Sequence, residues 1–269
     1  MAIVIDLTLA FCKNGHMHYK QTRQGRTATL INQDVLDTPD ALLFEGGPQP
    51  ASASDSTQGR GTVRFFKHQG LSLVQKKYHR GGFFGRLIKD SYVYTGIESS
   101  RMWREFLLLG QMLELGLPVP RPVAARCVRG TLLTYQGDLI TERISNSETL
   151  ADLLCRQALP ESTWQALGQT ISRFHQQRID HTDLNAANIL LTDSDQIYLI
   201  DFDKCAMRPA GDDRWCDANL GRLHRSLLKW QKRDPAFHFE PHCWQALLSG
   251  YHQPNSNTPS SSESRLSNF

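Results

Sequence analysis

The residues best suited to chemistry fall in one stretch: His181-Thr-Asp183-Leu-Asn-Ala-Ala-Asn188, two short apolar runs at 189–192 and 197–200 about a polar turn, and then Asp201-Phe-Asp203. Asp183 can accept a hydroxyl proton and orient the group that loses it. Asn188 and Asp201 offer hard oxygen ligands of the kind magnesium prefers. The two apolar runs predict a hairpin. Asn188 precedes its first strand and Asp201 ends its second, so pairing would bring them together. Two acids and an amide converging on one point suit phosphoryl transfer, in which a metal neutralises charge on the group in flight. A lone Asp and Asn at this spacing are common loop caps, but the whole string with strand, turn and strand is far rarer by chance.

The elements that must position these groups change character along the chain. Segments 62–66 and 71–74 read as strands about a Gln69-Gly70 turn. Residues 101–115 carry apolar side chains at helical recurrence, ended by Gly116 and Pro118. Strand-like segments return at 122–129, 131–134 and 139–144, and helices follow at 149–159, 162–178 and 217–232. A strand-rich first half with one helix, then a helical second half, predicts an α+β protein in two lobes. The expected division is 1–139 for the N-lobe, 140–252 for the C-lobe and 253–269 for a disordered tail. Residues 46–58 read as a surface loop, and the opening Met1-Ala-Ile-Val-Ile-Asp6 as a first strand rather than a signal peptide.

Composition narrows the class. With 269 residues, 40% hydrophobic and 21% charged, the chain can bury a real core. A formal charge of +3 is too small to argue for nucleic-acid binding but accommodates an anionic substrate. The 6 cysteines show no Cys-x-x-Cys pair and no metal-ligand spacing, so they read as free thiols in a reducing compartment. The greasiest stretch, 106–117, is too short to span a bilayer. A cytoplasmic chain with no obligate protein partner is the expectation.

The order and spacing of the catalytic string resemble the eukaryotic-like kinase superfamily. Asp203 stands in place of the glycine of an Asp-Phe-Gly motif, and no Ala-Pro-Glu follows. Both departures point away from protein substrates and towards small molecules. Further runs, Gly59-Arg-Gly61-Thr, Tyr78-His-Arg80-Gly-Gly82, Leu117-Pro-Val-Pro120-Arg-Pro122, Leu199-Ile-Asp-Phe-Asp-Lys204, Arg208, Trp215 and Asn219-Leu-Gly-Arg222-Leu-His-Arg225-Ser226, resemble the 3-deoxy-D-manno-octulosonic acid (Kdo) kinase family. The resemblance implies a protein-kinase-like fold and ATP- and Mg2+-dependent phosphorylation of Kdo, at its 4-hydroxyl, on a lipid A precursor. It also implies lipopolysaccharide core assembly at the cytoplasmic face of the inner membrane, with the chain peripheral on that surface.

In the kinase plan a strand lysine reaches the nucleotide phosphates and a glutamate from the first helix holds it. Glu105 is the natural glutamate. Lys76 and Lys77 are adjacent on a strand and must face opposite ways; Lys76 fits the motif better, with Lys77 as the alternative. Gly59 and Gly61 are candidates for a phosphate-approaching turn, or simply relieve a hairpin. On the acceptor side, Lys76, Lys77, His79, Arg80 and Arg86 bracket Gly81-Gly-Phe-Phe84, which suits an anionic headgroup or is a basic loop. In the 217–233 helix, Leu220, Leu223, Leu227 and Trp230 form an apolar stripe and Arg222, Arg225, Lys229 and Lys232 a basic one. Arg222 and Arg225 are candidate substrate ligands on the resemblance alone. A heptose kinase, an antibiotic or choline kinase, and a non-catalytic pseudokinase-like module are the competing readings.

Overall fold

The computed structural model describes residues 5–7, 17–36, 42–45, 63–78, 92–93, 96–130 and 134–253. The first part is a sheet of short antiparallel strands: β1 (Ile5–Leu7), β2 (Tyr19–Gln24), β3 (Thr27–Asn32), β4 (Val63–His68), β5 (Leu71–Tyr78), β6 (Tyr92–Val93), β7 (Pro122–Arg129) and β8 (Thr134–Glu142). Their order is β1-β2-β3-β7-β8-β5-β4, with β6 also on β8. The β4–β5 turn falls at Gln69 and Gly70, both with left-handed φ, and His68 pairs with Leu71 as the sequence predicts. The predicted segments 131–134 and 139–144 resolve differently. β8 is one strand that pairs β5 on one side and β7 on the other as far as Glu142 and Thr141, and 131–133 lie outside the described residues.

Both faces of this sheet are covered, and alternation along the strands shows it. Leu30 and Leu139 face a core shared with the helix α2 (Arg101–Glu114), through Met102, Phe106 and Leu109. Ile31 and Ile140 face the opposite way, under Leu36 and under Leu43 and Phe44 of the short helix α1 (Leu42–Glu45). Gln75, fully buried, donates through Nε2 to the Phe44 carbonyl at 2.9 Å and to Asp138 Oδ1 at 3.0 Å, so α1 is tied to β5 by a buried amide whose oxygen is left without a hydrogen-bond partner.

The second part carries β9 (Ser147–Thr149), α3 (Leu150–Leu154), α4 (Glu161–Gln176), β10 (Ile179–Asp180), β11 (Ile189–Thr192), β12 (Ile197–Leu199), β13 (Ala206–Met207), α5 (Arg214–Arg233) and α6 (Pro241–His252). The predicted 149–159 helix stops early because the Leu154 carbonyl accepts the His238 N–H at 2.8 Å instead of continuing the helical ladder. Its start is capped by Thr149, whose hydroxyl accepts from Asp152 N. α4 and α6 cross with backbones nearly touching. A Cβ on Gly168 would lie 2.0 Å from the Leu247 carbonyl oxygen, and one on Gly250 the same distance from that of Gln165. The apolar stripe of α5 is core: Leu220, Leu223 and Leu227 are buried and Trp230 packs against them.

Gly59, Gly61 and Arg80, the bracketed loop from His79 to Arg86, the 46–58 segment and the tail beyond Gln253 lie outside the described residues. No helix among the described residues is long and apolar enough to cross a membrane. The described cysteines are free, and burial pushes Cys205 up to about 12, so it stays a thiol.

Candidate active site

The hairpin β11–β12 forms as the sequence predicts, with Ile189 opposite Leu199. Ile200 N–H then donates to the Asn188 carbonyl at 3.0 Å, which sets Asn188 beside the residue preceding Asp201. The short 3-10 turn at Ala186–Asn188 begins at Asn185, whose side chain accepts from Ala187 N–H at 2.9 Å. Asn185 and Asn188 each donate a side-chain N–H to the Asp183 carbonyl, both at 2.9 Å. Anchoring Asn188 through its nitrogen leaves its amide oxygen as the available acceptor. Asp183 itself is exposed, at the tip of a loop whose backbone is fixed on both sides.

The loop is anchored from below by His181. Its Nε2–H donates to the Ile200 carbonyl at 2.9 Å, and its ring lies 4.7 Å from that of Phe202. Phe202 in turn stacks on Phe174 of α4 at 5.9 Å. Burial holds the His181 pKa below the ordinary imidazole value, so the ring stays neutral and serves as a structural donor.

Across the cleft, Lys76 is the strand lysine that meets the acids. Its Nζ lies 3.0 Å from Glu105 Oε2, 3.2 Å from Oε1 and 2.5 Å from Asp201 Oδ1. Burial alone would push Lys76 down; the two carboxylates outweigh it, and its pKa lies above the usual lysine value. Glu105 is a buried hub on α2. Besides Lys76, it accepts the Phe202 N–H at 3.1 Å and the Tyr78 hydroxyl. Burial and the neighbouring Glu105 charge raise Tyr78 well above the ordinary phenol range, so it remains a donor. Asp201 takes a left-handed φ of 65°. A non-glycine residue held there costs energy and persists where its surroundings over-determine it.

Arg222 is half-buried, with Nη1 3.3 Å from Asn219 Oδ1 on the same helix. Ser226, one turn on, receives the Ala186 N–H at 3.3 Å, so this face of α5 abuts the catalytic loop. Arg225 is exposed. Two participants escaped the reading of the sequence. Tyr78 lies two residues on from Lys76, on the same face of β5, and Arg101 pairs with Asp203 through Nε to Oδ1 at 2.6 Å and a second guanidinium contact. The signal for Arg101 was present: it stands one helical turn before Glu105, and an acid replacing a glycine calls for a cation.

A sheet-built lobe with a lysine–glutamate pair, over a helical lobe offering Asp183, Asn188 and Asp201, defines a protein-kinase-like phosphotransferase. Comparison with known proteins narrows this. Residues 48–251 match the model of the lipopolysaccharide kinase (Kdo/WaaP) family. A 3-deoxy-D-manno-octulosonic acid kinase of Photobacterium profundum is 43% identical over 227 residues, covering 84% of this chain and 93% of the relative. One of Haemophilus influenzae is 42% identical over 205 residues, covering 74% and 84%. The solved structure of WaaP in complex with acyl carrier protein shares the fold, with TM-score 0.50 and 15% identity over 79% of this chain and 86% of that one. The chain belongs to the lipopolysaccharide kinase (Kdo/WaaP) family.

Proposed function

We propose that this chain transfers the γ-phosphoryl of ATP to a Kdo hydroxyl, the 4-OH, of a Kdo–lipid A precursor in lipopolysaccharide core synthesis. The observation that carries it is Lys76 bonded at once to Glu105 and Asp201, which joins the phosphate lysine of one lobe to the metal acid of the other. The substrate class follows from relatives that share about four residues in ten and bear the Kdo kinase name.

In this reading Asp183 aligns the sugar hydroxyl and accepts its proton as the new O–P bond forms and ADP leaves. Lys76, fixed by Glu105, reaches the nucleotide phosphates. Asn188 Oδ1 and the Asp201 carboxylate are hard donors at the same end of the β11–β12 hairpin, a set that fits magnesium. Magnesium bound there would supply charge neutralisation for the transferred phosphoryl. Arg222 and Arg225 supply cations for the anionic acceptor, a guanidinium fork being well matched to a carboxylate. Arg80, Gly59 and Gly61 keep the roles the family motifs imply. Residues 1–139 form the nucleotide phosphate clamp, and 140–252 carry the catalytic loop, the magnesium ligands and the acceptor site. We place the chain peripherally on the cytoplasmic face of the inner membrane, where such an acceptor resides.

The test is acceptor choice. Labelled ATP is offered with Kdo–lipid A precursor and, separately, with heptosylated core, and the product is mapped by mass. Phosphate on the Kdo 4-hydroxyl is expected; label on heptose alone would replace this reading by that of a heptose kinase. Nucleotide binding without transfer to either would leave a non-catalytic module.

A further inference from the structure

The segment Asp201-Phe202-Asp203 touches α2 at two points one helical turn apart. Glu105 accepts the Phe202 N–H, and Arg101 grips the Asp203 carboxylate with two guanidinium nitrogens. Neither partner is a free surface charge: the side chains retain 25% and 15% of their exposure. The guanidinium also lies 5.5 Å from the Tyr78 ring, whose hydroxyl bonds Glu105. The start of α2 is itself anchored, since the Arg101 N–H reaches the Tyr135 hydroxyl of β8 at 3.2 Å. Asp201 and Lys204 on either side of the pair have left-handed φ of 65° and 67°, whereas Asp203 does not. Nothing in the backbone therefore demands a glycine at 203, and the carboxylate there has a partner built for it.

We infer that the Arg101–Asp203 pair is a positioning clamp that holds α2 and the 201–203 segment in the one alignment where Lys76, Glu105 and Asp201 meet. The inference rests on the phosphoryl-transfer reading above. In this role Arg101 and Asp203 act through Glu105 and Asp201 rather than on the reacting groups. A bidentate guanidinium–carboxylate pair fixes orientation as well as distance, which is what a strained metal-acid segment requires.

The experiment is a cycle of the full-length wild type, Arg101→Ala, Asp203→Asn and the double variant, assayed with labelled ATP and Kdo–lipid A precursor. Turnover, acceptor KM and thermal midpoint are measured for each. Each single variant should lower kcat about 10- to 100-fold, the scale of a small misplacement, while acceptor KM moves by no more than about twofold. The double variant should be no worse than the poorer single, because both remove one device. Asp203→Gly should behave as Asp203→Asn, and Asp203→Glu should recover part of the loss. Wild-type kcat in Asp203→Asn or Asp203→Gly, losses that multiply in the double variant, or an effect wholly on acceptor KM would each overturn the clamp. If Asp203→Asn melts below the assay temperature, Arg101→Lys, which keeps the charge and loses the fork, takes its place; unchanged kcat there is equally fatal. An inactive Asp183→Ala enzyme beside a failed cycle removes the clamp alone, whereas an active one removes the reading beneath it.

Discussion

On the α2 side of the cleft, Lys76, Glu105, Arg101, Asp201 and Asp203 are held by ion pairs that reach from one lobe to the other. On the loop side, Asp183 and Asn188 are held by amide-to-carbonyl bonds within a few residues of chain, over a neutral His181 and the Phe202–Phe174 stack. The difference separates two jobs. The loop is preformed locally and depends on charge very little, so its geometry travels with the fold. The alignment of the lobes is an electrostatic arrangement among partly buried groups, where losing one partner strands another.

Substitutions on the two sides should therefore fail in different ways. Asp183→Ala should give the largest loss, on the order of 10²- to 10⁴-fold in kcat, with the thermal midpoint scarcely moved because the side chain is exposed. A large drop in midpoint would mean that the loop is not self-supporting. Across the cleft, Lys76→Met should cost roughly 100-fold in turnover, while Lys77→Met stays near wild type; the opposite ranking would reassign the phosphate lysine. Away from both regions, Gly250→Ala should destabilise by about 1–3 kcal/mol or more, seen as a lower midpoint by calorimetry with kcat unchanged at permissive temperature. Its Cβ would meet the Gln165 backbone, which cannot swing aside.

The smallest effect at neutral pH concerns His175. Its Nδ1 lies 2.8 Å from the Tyr251 hydroxyl and its Nε2 3.4 Å from the Asn219 amide nitrogen, and burial pushes its pKa down from 6.5 to about 4. A folded pKa below the unfolded one means full stability above about 6.5 and a progressive loss as pH falls towards 4. At about 1.4 kcal/mol per unit the loss is on the order of 3 kcal/mol. Denaturant titrations across that window should show the slope in wild type and lose it in His175→Gln; an equal slope in both would assign the acid sensitivity elsewhere.

What was readable in the residues was what is decided at short range. The 181–203 string, the Gln69-Gly70 turn and the α2 periodicity each depend on a few neighbouring side chains. Whether Lys76 or Lys77 faces the cleft depends on which face of β5 packs against α2, and only the pairing of β5 with β8 fixes that. The β2–β3 hairpin carried no motif because beyond Tyr19 the segment to Gln24 is polar; its place is set by β3 pairing with β7. α6 went unread for a related reason. Gly250 argues against a helix locally and is required there by the close crossing with α4. Arg101 and Asp203 lie about a hundred residues apart; each carries a local signal, but only the folded contact shows that they are partners.

Between Asp203 and α5 the chain makes a brief return. β13 pairs with β10, and Arg208 closes on Asp180 through two bonds of 2.8 and 2.6 Å. Protein kinases use this stretch as a gate, opened when a second enzyme phosphorylates it. Here it is a stitched seam between two short strands, with no length to swing out and back. On the proposed reading, this stretch holds no long loop for phosphorylation to move, and the Arg208–Asp180 pair instead fastens the chain leaving the metal acid to the strand that leads into the catalytic loop.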